Sequence, residues 1–247
     1  MKAAPLIEGP LIEARGLHSF YGESHILHGV DFAVRTGEAV GLLGRNGMGK
    51  TTLLRSLLGL TPPRRGSVRI KGVDMTGAAP YRIARQGIAF VPEGRGIFPN
   101  LSVREHLVLA ARPKRGPSSE GRAAWNLERV LETFPRLGRR LALPGTLLSG
   151  GEQQMLTIGR ALMANPDLIV LDEATEGLSP ILAGEIWSIL RTLRQGGIAC
   201  VIVDKNFAAV SALADRCVVL VKGRIVLEGS AAALRKKRAT LHRHLGV

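Results

Sequence analysis

An apolar run that ends in a glycine-rich octapeptide constrains this chain more than any other feature. Ala39 to Leu43 contains no polar side chain, the pattern of a strand buried on both faces. Gly44-Arg45-Asn46-Gly47-Met48-Gly49-Lys50-Thr51 follows at once, and Thr52 to Leu60 then has helical spacing until Thr61-Pro62-Pro63 stops it. The octapeptide satisfies G-x-x-x-x-G-K-[ST] in the context that motif needs, between a buried strand and a helix. With Gly at about 7% of residues, a chance match arises in about one such chain in a hundred. Backbone N–H groups around Gly44, Asn46, Gly47 and Gly49 are able to close on phosphate oxygens, and the helix start adds its positive dipole end. Lys50 is then placed for the β- and γ-phosphates of a nucleotide, Thr51 for Mg²⁺ and Thr52 for the α-phosphate.

A second apolar run, Leu168 to Leu171, delivers Asp172 and Glu173. If it is a strand of the same sheet, both carboxylates reach the carboxyl edge, where ligands of open α/β sheets bind. A first carboxylate there holds Mg²⁺ through water; a second polarises the attacking water as general base. Between the two motifs, Leu148-Ser149-Gly150-Gly151-Glu152-Gln153-Gln154 opens a helix. Ser149 is a natural N-cap, and the two glycines leave backbone N–H groups uncovered, a further anion-binding helix start.

The remaining composition narrows the class. The 247 residues are 45% hydrophobic, enough for one large α/β domain with a core of its own. No run approaches the roughly 18 apolar residues of a membrane span. Met1 to Glu13 has no long apolar stretch, so a cytoplasmic protein is expected. Cys200 and Cys217 sit inside apolar runs without metal-ligand spacing and read as reduced core thiols. The net charge of +14 is compatible with nucleic acid, an anionic membrane surface or plain solvation. Aromatic residues are only 4% of the chain, so stacking platforms for single strands are scarce and nucleic acid is the least favoured of the three.

Leu11 to Leu17 and Ile26 to Val34 read as short strands, as do Ser67 to Ile70, Ile88 to Val91, Ile198 to Val203, Cys217 to Val221 and Arg224 to Leu227. Helices are expected from Gly150 to Ala164 and from Ile181 to Leu193. Leu101 to Leu141 turns helical, with a polar break at Pro113 to Gly121. The organisation expected is a single domain with its core at about 11–92 and 160–230. A helical lobe is inserted at about 97–158, and a basic helix closes the chain at about 231–247.

Taken together, the phosphate loop, Asp172-Glu173 and Leu148 to Gln154 resemble the ABC transporter ATPases over nearly the whole chain, with Leu148 to Gln154 matching the family signature. The resemblance implies a RecA-like P-loop NTPase core with an antiparallel β subdomain and an inserted helical subdomain. It implies ATP and Mg²⁺, and head-to-tail pairing in which Ser149, Gly150 and Gly151 of one subunit meet the γ-phosphate held by the other. Tyr21 matches the aromatic that stacks on adenine, and Glu176 to Pro180 the loop that crosses the pair's interface.

Phe90-Val91-Pro92-Glu93-Gly94-Arg95 and Ile97-Phe98-Pro99-Asn100-Leu101-Ser102-Val103 are similar to the shorter ATPase subunit of branched-chain amino-acid importers. Urea or amide importers look alike, and a lipid or lipopolysaccharide exporter ATPase is the alternative outside the importers. Glu93 stands where most members carry a Mg²⁺-sensing Gln. The implied partners are a second ATPase subunit, either the same chain or a longer paralogue, membrane permease subunits and, indirectly, a periplasmic solute-binding protein. Phe98 is a candidate permease contact or an ordinary buried Phe. Two positions depart from the pattern: Ala174 replaces a Pro, and Lys205 replaces a His that contacts the γ-phosphate. Lys205 either supplies a cation there or is a solvated lysine at a strand end.

Overall fold

The structure, a computed structural model, describes residues 9–114 and 123–237. Two sheets share one chain. The first is antiparallel: β1 (Ile12–Tyr21) and β2 (Ser24–Val34) form a hairpin, and β4 (Arg65–Ile70) and β5 (Val73–Asp74) extend it in the order β2-β1-β4-β5. The second contains β3 (Ala39–Leu43), β6 (Ile88–Val91), β7 (Leu168–Asp172), β8 (Ala199–Val203), β9 (Arg216–Val221) and β10 (Arg224–Ser230), ordered β10-β9-β3-β8-β7-β6. All its neighbours are parallel except the edge strand β10, which returns antiparallel to β9.

Every residue of β3, β7 and β8 is buried, because helices or the other sheet cover both faces. The two faces sort by alternation. Ile169, Leu171, Cys200 and Ile202 face a core shared with α3 (Val103–Ala110), α4 (Leu127–Thr133), α6 (Gly150–Met163) and α7 (Pro180–Gln195). Leu168, Val170, Val201 and Val203 face the opposite core, shared with α1 (Lys50–Leu57) and the antiparallel sheet. The short helices α2 (Pro80–Ala84), α5 (Pro135–Gly138), α8 (Phe207–Leu213) and α9 (Ala231–Lys236), with a 3-10 turn at Gly145–Leu147, complete the described elements.

The fold is the expected mixed α/β architecture. The long apolar elements fall where sequence places them, to within a few residues. Three short ones were not anticipated: β5, α2 and α8. Each is seven residues or fewer, too short for a period to register. Strands β1 and β2 run farther than expected, to a turn at Gly22-Glu23, because pairing along the hairpin sustains polar residues such as His18, Ser19 and His25. The expected C-terminal helix is described only to Lys236, and residues 238–247 lie outside the described residues, as do 115–122 of the polar break. Cys200 and Cys217 are free and buried, and burial pushes their thiols up to about 12 and about 11.

One turn ties the two sheets to the glycine-rich loop. Gly223, between β9 and β10, accepts a hydrogen bond from His28 N of β2 at 2.9 Å and donates to Met48 O at 3.0 Å. Its φ is +71°, and a Cβ there would lie 1.8 Å from Ile26 O. No side chain fits without moving β2 or the loop. Gly223→Ala is therefore expected to cost about 2 kcal/mol or more, read as a lower midpoint in urea unfolding, with weaker nucleotide binding alongside.

Candidate active site

The carboxyl ends of β3, β8 and β7 lie side by side, since the three strands are consecutive in the sheet. After β3 the chain enters Gly44 to Gly49, where Gly44, Gly47 and Gly49 all take positive φ. Gly49 caps α1 without a side-chain bond, so the helix start is left to an external acceptor. Lys50 folds back into the loop: its Nζ donates to Gly44 O at 2.8 Å and Arg45 O at 3.2 Å. Burial lowers its pKa, while Glu173 and Asp172 pull the other way. Thr51 is exposed and Thr52 is buried, 6% accessible.

Strand β7 delivers Asp172 buried, with its Oδ1 lacking any hydrogen-bond partner. Burial raises its carboxyl above the ordinary range; the Thr51 hydroxyl and Lys50 oppose that rise and Glu93 adds to it. Thr51, Lys50 and Glu93 thus surround one acid. An orphaned buried carboxylate oxygen among hydroxyl and carboxylate donors is the donor set of a hard cation such as Mg²⁺. Glu173 turns out of the strand with φ +52°, held by its N–H on Val203 O of β8 at 2.8 Å. Carboxylate oxygens of Glu93, Glu173 and Glu176 lie within 4.8 Å of one another.

Lys205, just past β8, reaches this acid cluster. Its Nζ is 3.7 Å from Glu173 Oε2 and also pairs with Glu176 Oε1. Lys205 is thus at once a solvent-exposed lysine at a strand end and a partner of these acids, its side chain 54% accessible. Ser149, the N-cap of α6, forms a reciprocal capping box: its Oγ accepts from Glu152 N, and Glu152 accepts from Ser149 N at 2.9 Å. Ser149 is exposed, at the start of a helix whose first turn includes Gly150 and Gly151. Tyr21, 47% accessible, stands at the tip of the β1–β2 hairpin, where Arg64 Nη2 holds the turn through Gly22 O at 2.6 Å. Phe98 is exposed, which removes the buried-Phe reading.

Residues 27–176 match the family model described as ABC transporter. This chain belongs to the ABC transporter family. Relatives agree. It is 40% identical over 228 residues to the high-affinity branched-chain amino acid transport ATP-binding protein BraG of Pseudomonas aeruginosa, covering 92% of this chain and 96% of that one. It is also 37% identical over 223 residues to the Nod factor export ATP-binding protein I of Burkholderia lata, covering 90% of this chain and 72% of that one. Among solved structures, an ATP-binding subunit of an ABC transporter superposes with a TM-score of 0.79 at 29% identity, covering 93% of each chain. A nucleotide-free ATP-binding cassette does so with 0.78 at 26%, covering 94% of this chain and 96% of that one.

As an ABC ATP-binding subunit, the protein is a nucleotide-binding ATPase of the kind that drives transport. No helix among the described residues is long and apolar enough to cross a membrane. The Glu176–Lys205 pair joins the loop after β7 to the lysine after β8, two segments that sequence marks separately and does not connect. Proximity of the loops after β7 and β8 makes that pair, and nothing in either segment alone signals it.

The pairing has an electrostatic consequence for the ABC subunit. Burial and then a hydrogen bond with Glu176 push Glu173 up to about 7 from 4.5, against the pull of Lys205 and Lys50. Between those values the folded chain keeps a proton that the unfolded chain has released, so this group's contribution to stability falls as pH rises through the window. Glu173→Gln, which does not ionise, should therefore gain thermal stability over the wild type as pH goes from 5 to 8 without nucleotide. A gain that stays flat with pH contradicts a half-buried, proton-holding Glu173.

Proposed function

We propose that this ATPase is the motor subunit of an importer for branched-chain or related hydrophobic amino acids, working on the inner face of the cell membrane with membrane permease subunits. What supports the solute class is the likeness to BraG over nearly both full chains. The likeness to Nod factor export proteins supports an exporter as the second reading, at slightly lower identity and over less of those proteins. Co-purification of the full chain from its native membrane, followed by identification of the attached permease, decides between them.

In this reading the domain divides into a core at about 11–92 and 160–230 and a helical lobe at about 97–158, and Tyr21 stacks on the adenine. Lys50 exchanges its two carbonyl acceptors for the β- and γ-phosphates, a swap between acceptors already at hydrogen-bonding distance from it. Backbone N–H groups of Gly44, Asn46, Gly47 and Gly49 surround the phosphates, with Thr52 at the α-phosphate. Thr51, Asp172 and Glu93 would hold Mg²⁺, which when bound neutralises charge developing on the phosphates. Glu173, once deprotonated, orients and polarises the attacking water. Lys205 moves from its acid pair toward the γ-phosphate when nucleotide brings a stronger anion to the site.

A second subunit, this chain again or a longer paralogue, presents Ser149, Gly150 and Gly151 to that phosphate. ATP then joins the pair and hydrolysis releases it, a two-state closure transmitted to the permease near Glu93 to Asn100. Two substitutions test these roles. Glu173→Gln should lower kcat by about 10²- to 10⁴-fold while ATP-dependent pairing persists; normal turnover would remove Glu173 as base. Lys205→Ala should lower kcat by about tenfold, and an unchanged rate takes Lys205 out of the mechanism.

A further inference from the structure

Residues 94–98, which follow Glu93 beyond β6, lie along α6. Arg95 Nη1 donates to Gln153 Oε1 at 3.3 Å, Thr157 Oγ1 donates to Arg95 O at 2.7 Å, and Arg160 donates to Gly96 O. Positions 153, 157 and 160 share one helix face, so the segment after Glu93 and the helix that begins at Ser149 are stapled at three levels. Arg95 itself has φ +56°, a left-handed backbone that side-chain-bearing residues rarely adopt. The result is a guanidinium folded over the first turn of α6: a Cβ on Gly150 would meet Arg95 Nη1 at 3.0 Å and Nη2 at 3.1 Å. That approach is open because residue 150 is glycine.

The charge at this place is not balanced among the described residues. Arg95 has a neutral amide as its acceptor and no carboxylate within ion-pair distance among the described residues. The acid nearest in sequence on α6, Glu152, is already taken by the Ser149 cap and by Arg140 Nε at 2.8 Å. The guanidinium also stands at the positive end of the helix dipole, where a cation is disfavoured. It is half-buried, and most of its five donors are unspent. A cation and a set of uncovered helix N–H groups directed to one place become mutually favourable when an anion sits between them.

We propose that Arg95 is a further phosphate-binding residue of the composite site, acting together with the Ser149–Gly151 turn on the terminal phosphate of the nucleotide held by the second subunit. The inference rests on the head-to-tail reading above. It makes Arg95 the link between two ends of one body: the segment that carries Glu93 in its own subunit's site, and the turn offered to its partner's nucleotide. Planar, bidentate geometry suits a phosphate with two free oxygens, and a lysine keeps the charge but loses the fork.

The test uses the full chain in the Glu173→Gln background, with Arg95→Met or Arg95→Lys added, and pairing measured by sedimentation at graded ATP with Mg²⁺. Arg95→Met should weaken ATP-driven pairing roughly tenfold or more, and Arg95→Lys should recover part of the loss. ADP affinity of the unpaired chain should stay with the parent's, because Arg95 acts on the partner's nucleotide and not on its own. Pairing of Arg95→Met equal to the parent's overturns the proposal. So does an Arg95→Lys variant that fails as fully as Arg95→Met, since the retained charge would then contribute nothing to pairing. If the Glu173→Gln parent itself does not pair with ATP, the head-to-tail reading falls and Arg95's role falls with it.

Discussion

Hydrogen bonding between β3, β8 and β7 sets the spacing of everything at the site, because neighbouring strands are held about 4.8 Å apart. Each strand is buried along its whole length between two packed cores, so a slide by one residue would send every side chain into the opposite core. The phosphate loop, Asp172 with Glu173, and Lys205 therefore arrive at one edge in fixed lateral order. The site's charges are close because the sheet makes them close, and their perturbed proton affinities follow from that crowding together with burial.

The crowding is arranged in a particular way. Lys50 is turned onto the carbonyls of its own loop and Lys205 onto Glu176 and Glu173, so each cation has a local acceptor within the chain. A triphosphate is a stronger acceptor than either arrangement. Nucleotide binding in this picture is an exchange of partners within a preformed frame, with little rebuilding of the backbone. Asp172 fits the same proposed logic from the other side: its unpartnered Oδ1 is a free acceptor that a cation would satisfy.

What sequence made legible divides by length scale. The loop from Gly44 to Thr51, the run Leu168 to Leu171 with its two acids, and the Ser149 cap are contiguous stretches whose chemistry depends on neighbours along the chain. Each lies in the structure on the kind of element its pattern implies. The buried strands and long helices were legible for the same reason, since burial on both faces or on one leaves a period that a dozen residues reveal. Short elements such as α2 and α8 were not, because five or seven residues do not complete enough of a period.

Side-chain partners across the chain were illegible in principle. Glu176 and Lys205 are 29 positions apart, Arg95 and Gln153 are 58 apart, and no local pattern in either partner names the other. The left-handed residues Arg95 and Glu173 are not themselves glycine, so residue type does not announce their conformation. Sequence by itself determined the mixed α/β class, the glycine-rich loop between strand and helix, the acid pair at a strand end and the helix capped by Ser149, because local stereochemistry and alternation of burial suffice for those. Only the tertiary structure decided that Lys205 joins the acid cluster and that a guanidinium rests on Gly150, because those contacts exist only once the sheet order has brought separate loops to a common edge and packed the segment after Glu93 along α6.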